Sequence, residues 1–289
     1  MTTIREAAQA GPPGPVAVFQ PRALIVTIYG LYAREGGGWF SVSTLIRLMA
    51  ELGIEEPAVR SSISRLKRRG ILLANSRDGI AGYALAPSSR SIFDEGDRRI
   101  FARPRASVDE GWLLAVFSVP ESQRARRHAL RSRLSWLGFG TVAAGVWIAP
   151  AHLEAETRDV LDRDHLAPYV DLFRADHVAF GDVHDLVEQW WDLRALQTLY
   201  DDFLATYTPV RAAWRRRRST PESTMALPGR AFADYVQALT SWRRLPYLDP
   251  GLPDAVLPKG WTGARAAELF LDLRDRLAGP AEEFVAEIR

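Results

Sequence analysis

Five cationic side chains fall between Arg60 and Arg69, a stretch of ten residues that contains no acidic residue. Val59, Ile63 and Leu66 recur through the same stretch at helical spacing, so a helix here would bury one side and leave the basic side in water. Arginine donates several hydrogen bonds at once to guanine edges or to phosphates. The stretch is therefore either a solvated surface helix or a helix whose charged side contacts DNA.

Two further helices and a hairpin surround this basic helix. Residues 21–35 (PRALIVTIYGLYARE) begin with a proline and place apolar residues on one face. After the break at 35–39 (EGGGW), Ser41 or Ser43 is predicted to cap a second helix that ends at Gly53. The basic helix ends at Gly70, and Asp78-Gly79 lies between two short apolar segments, which predicts a hairpin. Three helices and a hairpin in this order are typical of a winged helix-turn-helix, whose third helix enters the major groove.

The DNA-contacting residues follow from this arrangement, because the N-terminal half of such a helix usually meets the bases. We expect Arg60, Ser61 and Ser64 to contact base edges. Arg65, Lys67 and Arg68 lie further along the helix and are expected to bind phosphates. The remaining candidates for DNA contact are Arg77 from the hairpin and Ser43 and Thr44 from the second helix.

The rest of the chain predicts two more domains. Residues 110–182 alternate strand, helix, strand, helix and strand, with residues 141–150 (TVAAGVWIAP) predicted as one strand, and this suggests a ferredoxin-like middle domain. Residues 183–289 are predicted as a helical C-terminal domain. With a flexible tail over 1–20 and a linker helix completing the DNA-binding domain over 21–103, the fold class is α+β and multidomain.

Charge is distributed unevenly along the 289 residues. Residues 1–109 carry 15 Lys and Arg against 10 Asp and Glu, a net charge of +5, whereas the remainder sums to −3. A basic first third indicates a polyanionic partner for that third. The absence of cysteine and of any long apolar run predicts a cytoplasmic protein with no membrane segment.

The sequence contains few of the residue patterns that are typical of enzymes. The first strand of the middle domain ends FSVPES, with Ser118 and Pro120 where a metal-dependent nuclease needs a carboxylate. His and Asp cluster in DRDHL (162–166) and HVAFGDVHD (177–185), but both clusters sit at element ends, where polar residues usually cap. We therefore expect no catalytic residues, no metal and no cofactor. A nuclease, a CoA-thioester enzyme and a module whose basic helix binds protein remain as alternatives.

Five stretches make the chain resemble the PaaX family of bacterial repressors, which control phenylacetate and related aromatic-acid catabolism. They are PRALIVTIYGLY, AVRSSISRLKRRGIL, WLLAVFSVPES, RLSWLGFGTVAAGVWIAP and RRLPYLDPGLPDAVLPKGWTGARAAELF. The last is the most specific, because its spaced prolines have no generic reason to recur. One departure is Glu55-Glu56, where such a helix usually starts with serine or threonine, so the operator sequence does not carry over.

The resemblance implies a homodimer that binds an inverted-repeat operator and releases it when an aryl-acetyl-CoA thioester, such as phenylacetyl-CoA, binds as effector. It also implies a winged-helix first domain, a middle domain like the small CRISPR adaptation nuclease, and a helical third domain. The aryl group of such a ligand needs aromatic walls, and its CoA part needs arginines near the phosphates. Trp242, Arg243 and Arg244 are the candidates for that site.

Overall fold

The computed structural model describes residues 19–34, 37–102, 105–178, 180–216 and 227–289, so the predicted tail over 1–20 lies outside the description up to residue 18. The chain is a mixed α/β protein with helices and two antiparallel sheets. It divides into two compact units. The first unit takes in the described residues of 1–98, 201–244 and 263–289, and the second takes in those of 99–200 and 245–262.

Three helices open the first unit, as the sequence predicts. Helix α1 (Pro21–Ile28) starts with its proline in the first turn and continues as a π-helical turn over Tyr29–Ala33. Helix α2 (Val42–Ala50) is capped by Ser41, whose Oγ accepts the Thr44 amide at 2.9 Å. Helix α3 (Glu56–Arg68) is the basic stretch, and the three helices pack on one another.

A three-stranded antiparallel sheet accompanies these helices. Strands β2 (Leu72–Arg77) and β3 (Ile80–Leu85) form the predicted hairpin, and Asp78 and Gly79 both adopt positive φ at its turn. A short strand, β1 (Trp39–Ser41), pairs with the other side of β3 and gives the order β1-β3-β2. The sequence prediction missed β1, because three residues are too few to show an alternating pattern. Helix α4 (Pro87–Asp97) follows as the predicted helical linker, and a π-helical turn spans Arg98–Ala102.

A four-stranded antiparallel sheet forms the centre of the second unit. Its strands are β4 (Trp112–Phe117), β5 (Gly140–Ala143), β6 (Val146–Pro150) and β7 (Val170–Ala175), in the order β5-β6-β4-β7. Helix α5 (Arg124–Leu137) follows β4 and helix α6 (Glu154–Arg163) follows β6. The prediction of one strand over 141–150 is wrong: Gly145, at a φ of 78°, turns the chain so that this stretch contributes two paired strands.

The two faces of this sheet bury different partners. Leu113, Ala115 and Trp147 point toward α5 and α6, where Leu130 and Leu134 help to form one apolar core. On the opposite face, Ile148 forms part of a second buried cluster. That cluster also contains Val187, Trp191, Leu193, Leu252 and Leu257. The strands therefore alternate between two cores, which explains why they are apolar on both faces.

A loop rich in proline lies over that second cluster. Asp249 is buried, and its carboxylate accepts hydrogen bonds from the Tyr200 hydroxyl at 2.7 Å and from the Gly251 amide at 2.8 Å. These bonds fix the turn that carries Leu252 into the second cluster. The motif DPGLPDAVLPKGW thus has a structural reason for its spacing, because prolines preset the loop and a buried carboxylate holds its first turn.

Helices make up most of the remaining chain. Helix α7 (Val183–Trp190) and the short α10 (Leu245–Leu248) belong to the second unit, whereas α9 (Leu227–Trp242) and α11 (Gly263–Ile288) belong to the first. Helix α8 (Leu193–Arg216) contributes residues to both. The segment predicted as one helical domain over 183–289 is thus divided between the two compact units.

The C-terminal helices of the first unit pack directly on its N-terminal helices. Helix α9 contacts α1, and α11 contacts both α9 and α2. The Thr27 and Thr240 hydroxyls share a buried hydrogen bond of 2.8 Å. Arg289 donates to the Tyr32 carbonyl from the end of the chain. The helices that carry the basic segment are therefore supported by residues more than 200 positions away.

Candidate nucleic-acid interface

The boundaries of α3 are set by its first and last residues. Glu55 occupies the N-cap without a side-chain cap bond, and a proline follows in the first turn. At the other end, Gly70 adopts a φ of 68° and its amide donates to the Lys67 carbonyl at 2.9 Å. The Ile71 amide reaches back to the Leu66 carbonyl at 3.0 Å. A left-handed glycine and these two bonds end the helix where the sequence predicts.

One side of α3 is buried against the other helices. Val59 is 0% exposed, and Ile63 and Leu66 are 2% exposed each. Ser62 is 8% exposed and joins this stripe. The predicted apolar side is confirmed, and its burial fixes the rotation of the helix about its own axis.

The opposite side of α3 is exposed along its whole length. We call it the α3 basic face and define it by the exposed residues Arg60, Ser61, Ser64, Arg65, Lys67 and Arg68. Arg65, Lys67 and Arg68 make no ion pair within the described residues. Arg60 differs, because its Nε donates to Glu56 Oε1 at 2.6 Å. The structure therefore brings six of the sequence candidates onto one continuous surface.

The two candidates on α2 separate from each other. Ser43 is exposed at the start of the helix, with its Oγ 2.8 Å from the Ser41 Oγ. Thr44 is only 5% exposed, and its hydroxyl accepts from the Ser41 Oγ at 2.9 Å. Thr44 is thus part of the capping network and is not available to a ligand. The sequence candidate was misplaced because the cap, once at Ser41, turns Thr44 toward the interior.

Arg77 is held against the small sheet rather than extended from the hairpin. Its Nη2 donates to the Gly37 carbonyl at 3.0 Å, and its guanidinium lies 5.2 Å from the centre of the Trp39 ring. The Trp39 Nε1 in turn donates to the Asn75 carbonyl at 3.1 Å. Trp39 therefore positions both the hairpin and its arginine, a role that the sequence prediction missed together with strand β1.

The residues predicted for an effector are packed inside the first unit. Trp242 is 2% exposed, stacks on Phe270 with ring centres 4.9 Å apart, and lies 5.4 Å from Phe203. Arg243 donates to the Ala23 carbonyl at 3.3 Å. Burial lowers the pKa of the Arg244 guanidinium from its usual value. Trp242 is therefore a core residue in this structure, and its ring presents no free face to a ligand.

Asp182, from one of the two clusters of His and Asp in the sequence, has a structural role. Asp182 caps α7 by accepting the His184 amide at 2.9 Å, as expected for an acidic residue at an element end. Among the described residues, no three His, Asp or Glu side chains come close enough together to hold a metal ion. In the same part of the chain, no helix is long and apolar enough to cross a membrane.

A basic helix exposed on one side, packed on two helices and followed by an antiparallel hairpin, is an arrangement found in DNA-binding regulators. Three family models match the chain in succession. They describe a PaaX-like protein over residues 20–89, the PaaX protein central Cas2-like domain over 105–187 and the PaaX-like protein C-terminal domain over 191–287. The chain belongs to the PaaX family.

Two known proteins are similar to this chain over most of its length. The transcriptional repressor PaaX of Escherichia coli (strain K12) is 25% identical over 268 residues, which cover 92% of this chain and 83% of that protein. An uncharacterized protein from Mycobacterium tuberculosis has a similar structure, with a TM-score of 0.54 and 25% identity over 91% of this chain and 98% of that one. The repressor is a regulator and not an enzyme, which confirms the prediction of a non-catalytic protein.

Proposed function

We propose that this chain is a dimeric transcriptional repressor that binds an inverted-repeat operator through the α3 basic face. The carrying observation is the division of α3 into a buried stripe and an exposed basic side. Arg60, Ser61 and Ser64 contact base edges, while Arg65, Lys67 and Arg68 bind phosphates on either side. Two copies related by a twofold axis then place two such helices in successive major grooves, about 34 Å apart.

The fold assignments belong to the same proposal. Helices α1 to α3 followed by the β2–β3 hairpin support a winged helix-turn-helix, with β1 as the third strand of the wing sheet. In the second unit, the element order β-α-β-β-α-β and the strand order β5-β6-β4-β7 support a ferredoxin-like sandwich. In such a sandwich the first and third strands are central neighbours, as β4 and β6 are here.

The regulated operon and its signal extend the proposal. The chain controls aromatic-acid catabolism of the phenylacetate type in the cytoplasm, and an aryl-acetyl-CoA thioester releases it from the operator. The ligand acts by preferring a dimer in which the two α3 helices no longer match the half-sites. Membership of the PaaX family and similarity to a named repressor support this assignment. The packing of α9 and α11 against α1 and α2 supports a route from the C-terminal residues to the DNA-binding helices.

Two other functions are weaker. A metal-dependent nuclease needs a carboxylate at the end of β4, where the chain has Ser118 and Pro120. A module that binds protein through its basic helix would use the same exposed face. Measuring affinity at several salt concentrations distinguishes DNA binding from protein binding, because the release of counterions makes DNA affinity fall steeply with ionic strength.

The test uses the full chain and the intergenic DNA next to its own gene. Fluorescence anisotropy between 50 and 200 mM salt should show sequence-specific binding that weakens by about 10³-fold or more. Footprinting should then show two protected half-sites about 10 base pairs apart. Absence of specific binding to any duplex, with the chain folded, would refute the proposed function.

A second measurement tests the effector. Phenylacetyl-CoA titrated into the bound complex should release the DNA, whereas free phenylacetate and CoA should not. Retention of the complex with every aryl-acetyl-CoA thioester would refute the effector assignment and leave the DNA-binding proposal intact.

A further inference from the structure

An ion pair stands at the N-terminal end of the α3 basic face. Arg60 Nε donates to Glu56 Oε1 at 2.6 Å, one helical turn away, and the two side chains are 59% and 50% exposed. Glu56 is thus an acidic group on the surface that the proposed function places against DNA. No acidic residue follows it in the helix.

The Glu56 carboxylate should weaken binding to DNA unless a group on the DNA pairs with it. A carboxylate close to a duplex is repelled by the phosphates. An acidic residue in the first turn favours the helix dipole, but Glu55 stands one residue earlier, is exposed, and makes no side-chain cap bond. Glu55 can therefore supply the favourable interaction with the helix dipole, and the dipole alone does not explain why residue 56 is also acidic.

The pair leaves complementary groups free. Because Arg60 donates to Glu56 through Nε, its Nη1 and Nη2 are unbonded within the described residues and form a fork. The second carboxylate oxygen of Glu56 remains as an acceptor. The Arg60 Nε and Glu56 Oε1 atoms are 2.6 Å apart, so the guanidinium and the carboxylate can face base pairs that follow each other at about 3.4 Å along the duplex.

We propose that Glu56 and Arg60 form one base-reading unit, in which Glu56 determines specificity; this inference rests on the proposed function. Arg60 donates to guanine O6 and N7 through its fork. Glu56 accepts from the exocyclic amino group of cytosine or adenine at a neighbouring step. Guanine and thymine present only hydrogen-bond acceptors in the major groove, so either base would leave the second carboxylate oxygen of Glu56 desolvated and without a donor.

The experiment measures base preference for two matched variants. Binding of wild type, E56Q and E55Q is compared on duplexes in which each half-site position is changed to all four bases. E56Q and E55Q remove the same charge one residue apart, but only Glu56 is bonded to Arg60. A third variant, E56A, removes the hydrogen-bonding group entirely.

The expected results differ in base selectivity rather than in affinity. Wild type should prefer cytosine or adenine over guanine and thymine at one position of each half-site, by at least about fivefold. E56Q should change the base preference at that position toward adenine, because adenine N6 and N7 match a glutamine amide. E56A should abolish the base preference there. E55Q should keep the wild-type preference, although both glutamine variants gain non-specific affinity from the lost repulsion.

Two results would overturn the inference alone: unchanged base preference in E56Q and E56A, or the same loss of preference in E55Q. The first would leave the pair as an exposed helix salt bridge, and the second would make the effect one of charge only. Failure of the wild-type chain to bind any duplex specifically would instead refute the proposed function and this inference together.

Discussion

Arg68 offers a direct measure of how many phosphates the α3 basic face binds. It is exposed on the last turn of α3 and makes no ion pair within the described part of the chain. Arg68→Ala should therefore fold normally. Its effect on binding should be the loss of one phosphate contact in each protomer, independent of the operator sequence.

The magnitude follows from counting phosphate-binding residues. Three cations on the face, Arg65, Lys67 and Arg68, lie where phosphates are expected, which gives about six contacts in a dimer and a slope of log affinity against log salt near −5. Removing Arg68 from both protomers should flatten that slope by about 1.8. The ratio of wild-type affinity to Arg68→Ala affinity should therefore be about twelvefold smaller at 200 mM salt than at 50 mM salt.

The assay is fluorescence anisotropy on the natural operator and on unrelated duplexes at five salt concentrations. Arg230→Ala is the control, because Arg230 is an exposed arginine on α9 that pairs with Asp234 and carries the same charge. The control should leave the slope unchanged. A slope that does not move in Arg68→Ala, or a defect confined to one operator position, would refute the phosphate-contact assignment.

Four further predictions use other parts of the structure. Arg60→Ala should cost about 1–3 kcal/mol in binding to the operator and much less on unrelated DNA, and equal losses on both in a competition gel shift would contradict base reading. Asp249→Ala should destabilise the second unit in thermal unfolding by about 1–3 kcal/mol for each donor that loses its acceptor, and these donors are the Tyr200 hydroxyl and the Gly251 amide. Asp254 is exposed and serves as the control, since Asp254→Ala should cost under about 1 kcal/mol. Gly82→Ala should destabilise the pairing of β1 with β3, since its Cβ would lie 2.4 Å from the Phe40 carbonyl oxygen, and an unchanged unfolding temperature would count against β1. Burial lowers the pKa of His152 below its usual value of 6.5. As pH falls below about 6.5, the imidazole therefore takes up a proton in the unfolded chain before it does so in the folded chain, and the free energy of unfolding should decrease. His152→Gln should reduce this loss of stability between pH 7.5 and 5.5.

Local signals along the sequence predicted the elements around the basic face. The apolar spacing of α3, the glycine that ends it and the Asp78-Gly79 turn each depend on residues within a few positions, so their outcome needs no tertiary information. Burial of Val59 and Ile63 confirmed the predicted rotation of the helix. The exposure of the basic side followed from that rotation.

Tertiary packing decided what the sequence prediction missed. Strand β1 exists because β3 offers it an unpaired edge, and the turn at Gly145 divides a run that is apolar enough for one long strand. Thr44 is buried because Ser41 takes the cap, and Trp242 is buried because Phe270 stacks on it. Strand β1 and Trp242 depend on partners that are distant in sequence, and for Trp242 that partner is 28 residues away. The outcome at Thr44 depended instead on the choice between Ser41 and Ser43 as the cap, which the sequence left open.

The most direct test of the central claim places a DNA-cleaving probe on the α3 basic face. The chain has no cysteine, so Ser64→Cys provides a unique attachment point for an iron chelate, and the wild-type chain treated with the same reagent provides the control. If α3 enters the major groove, the probe at position 64 should cut within both operator half-sites, whereas the treated wild type should not cut the DNA. Bound complexes in which the probe at position 64 leaves the half-sites uncut, or cuts them no more than the control, would contradict the claim.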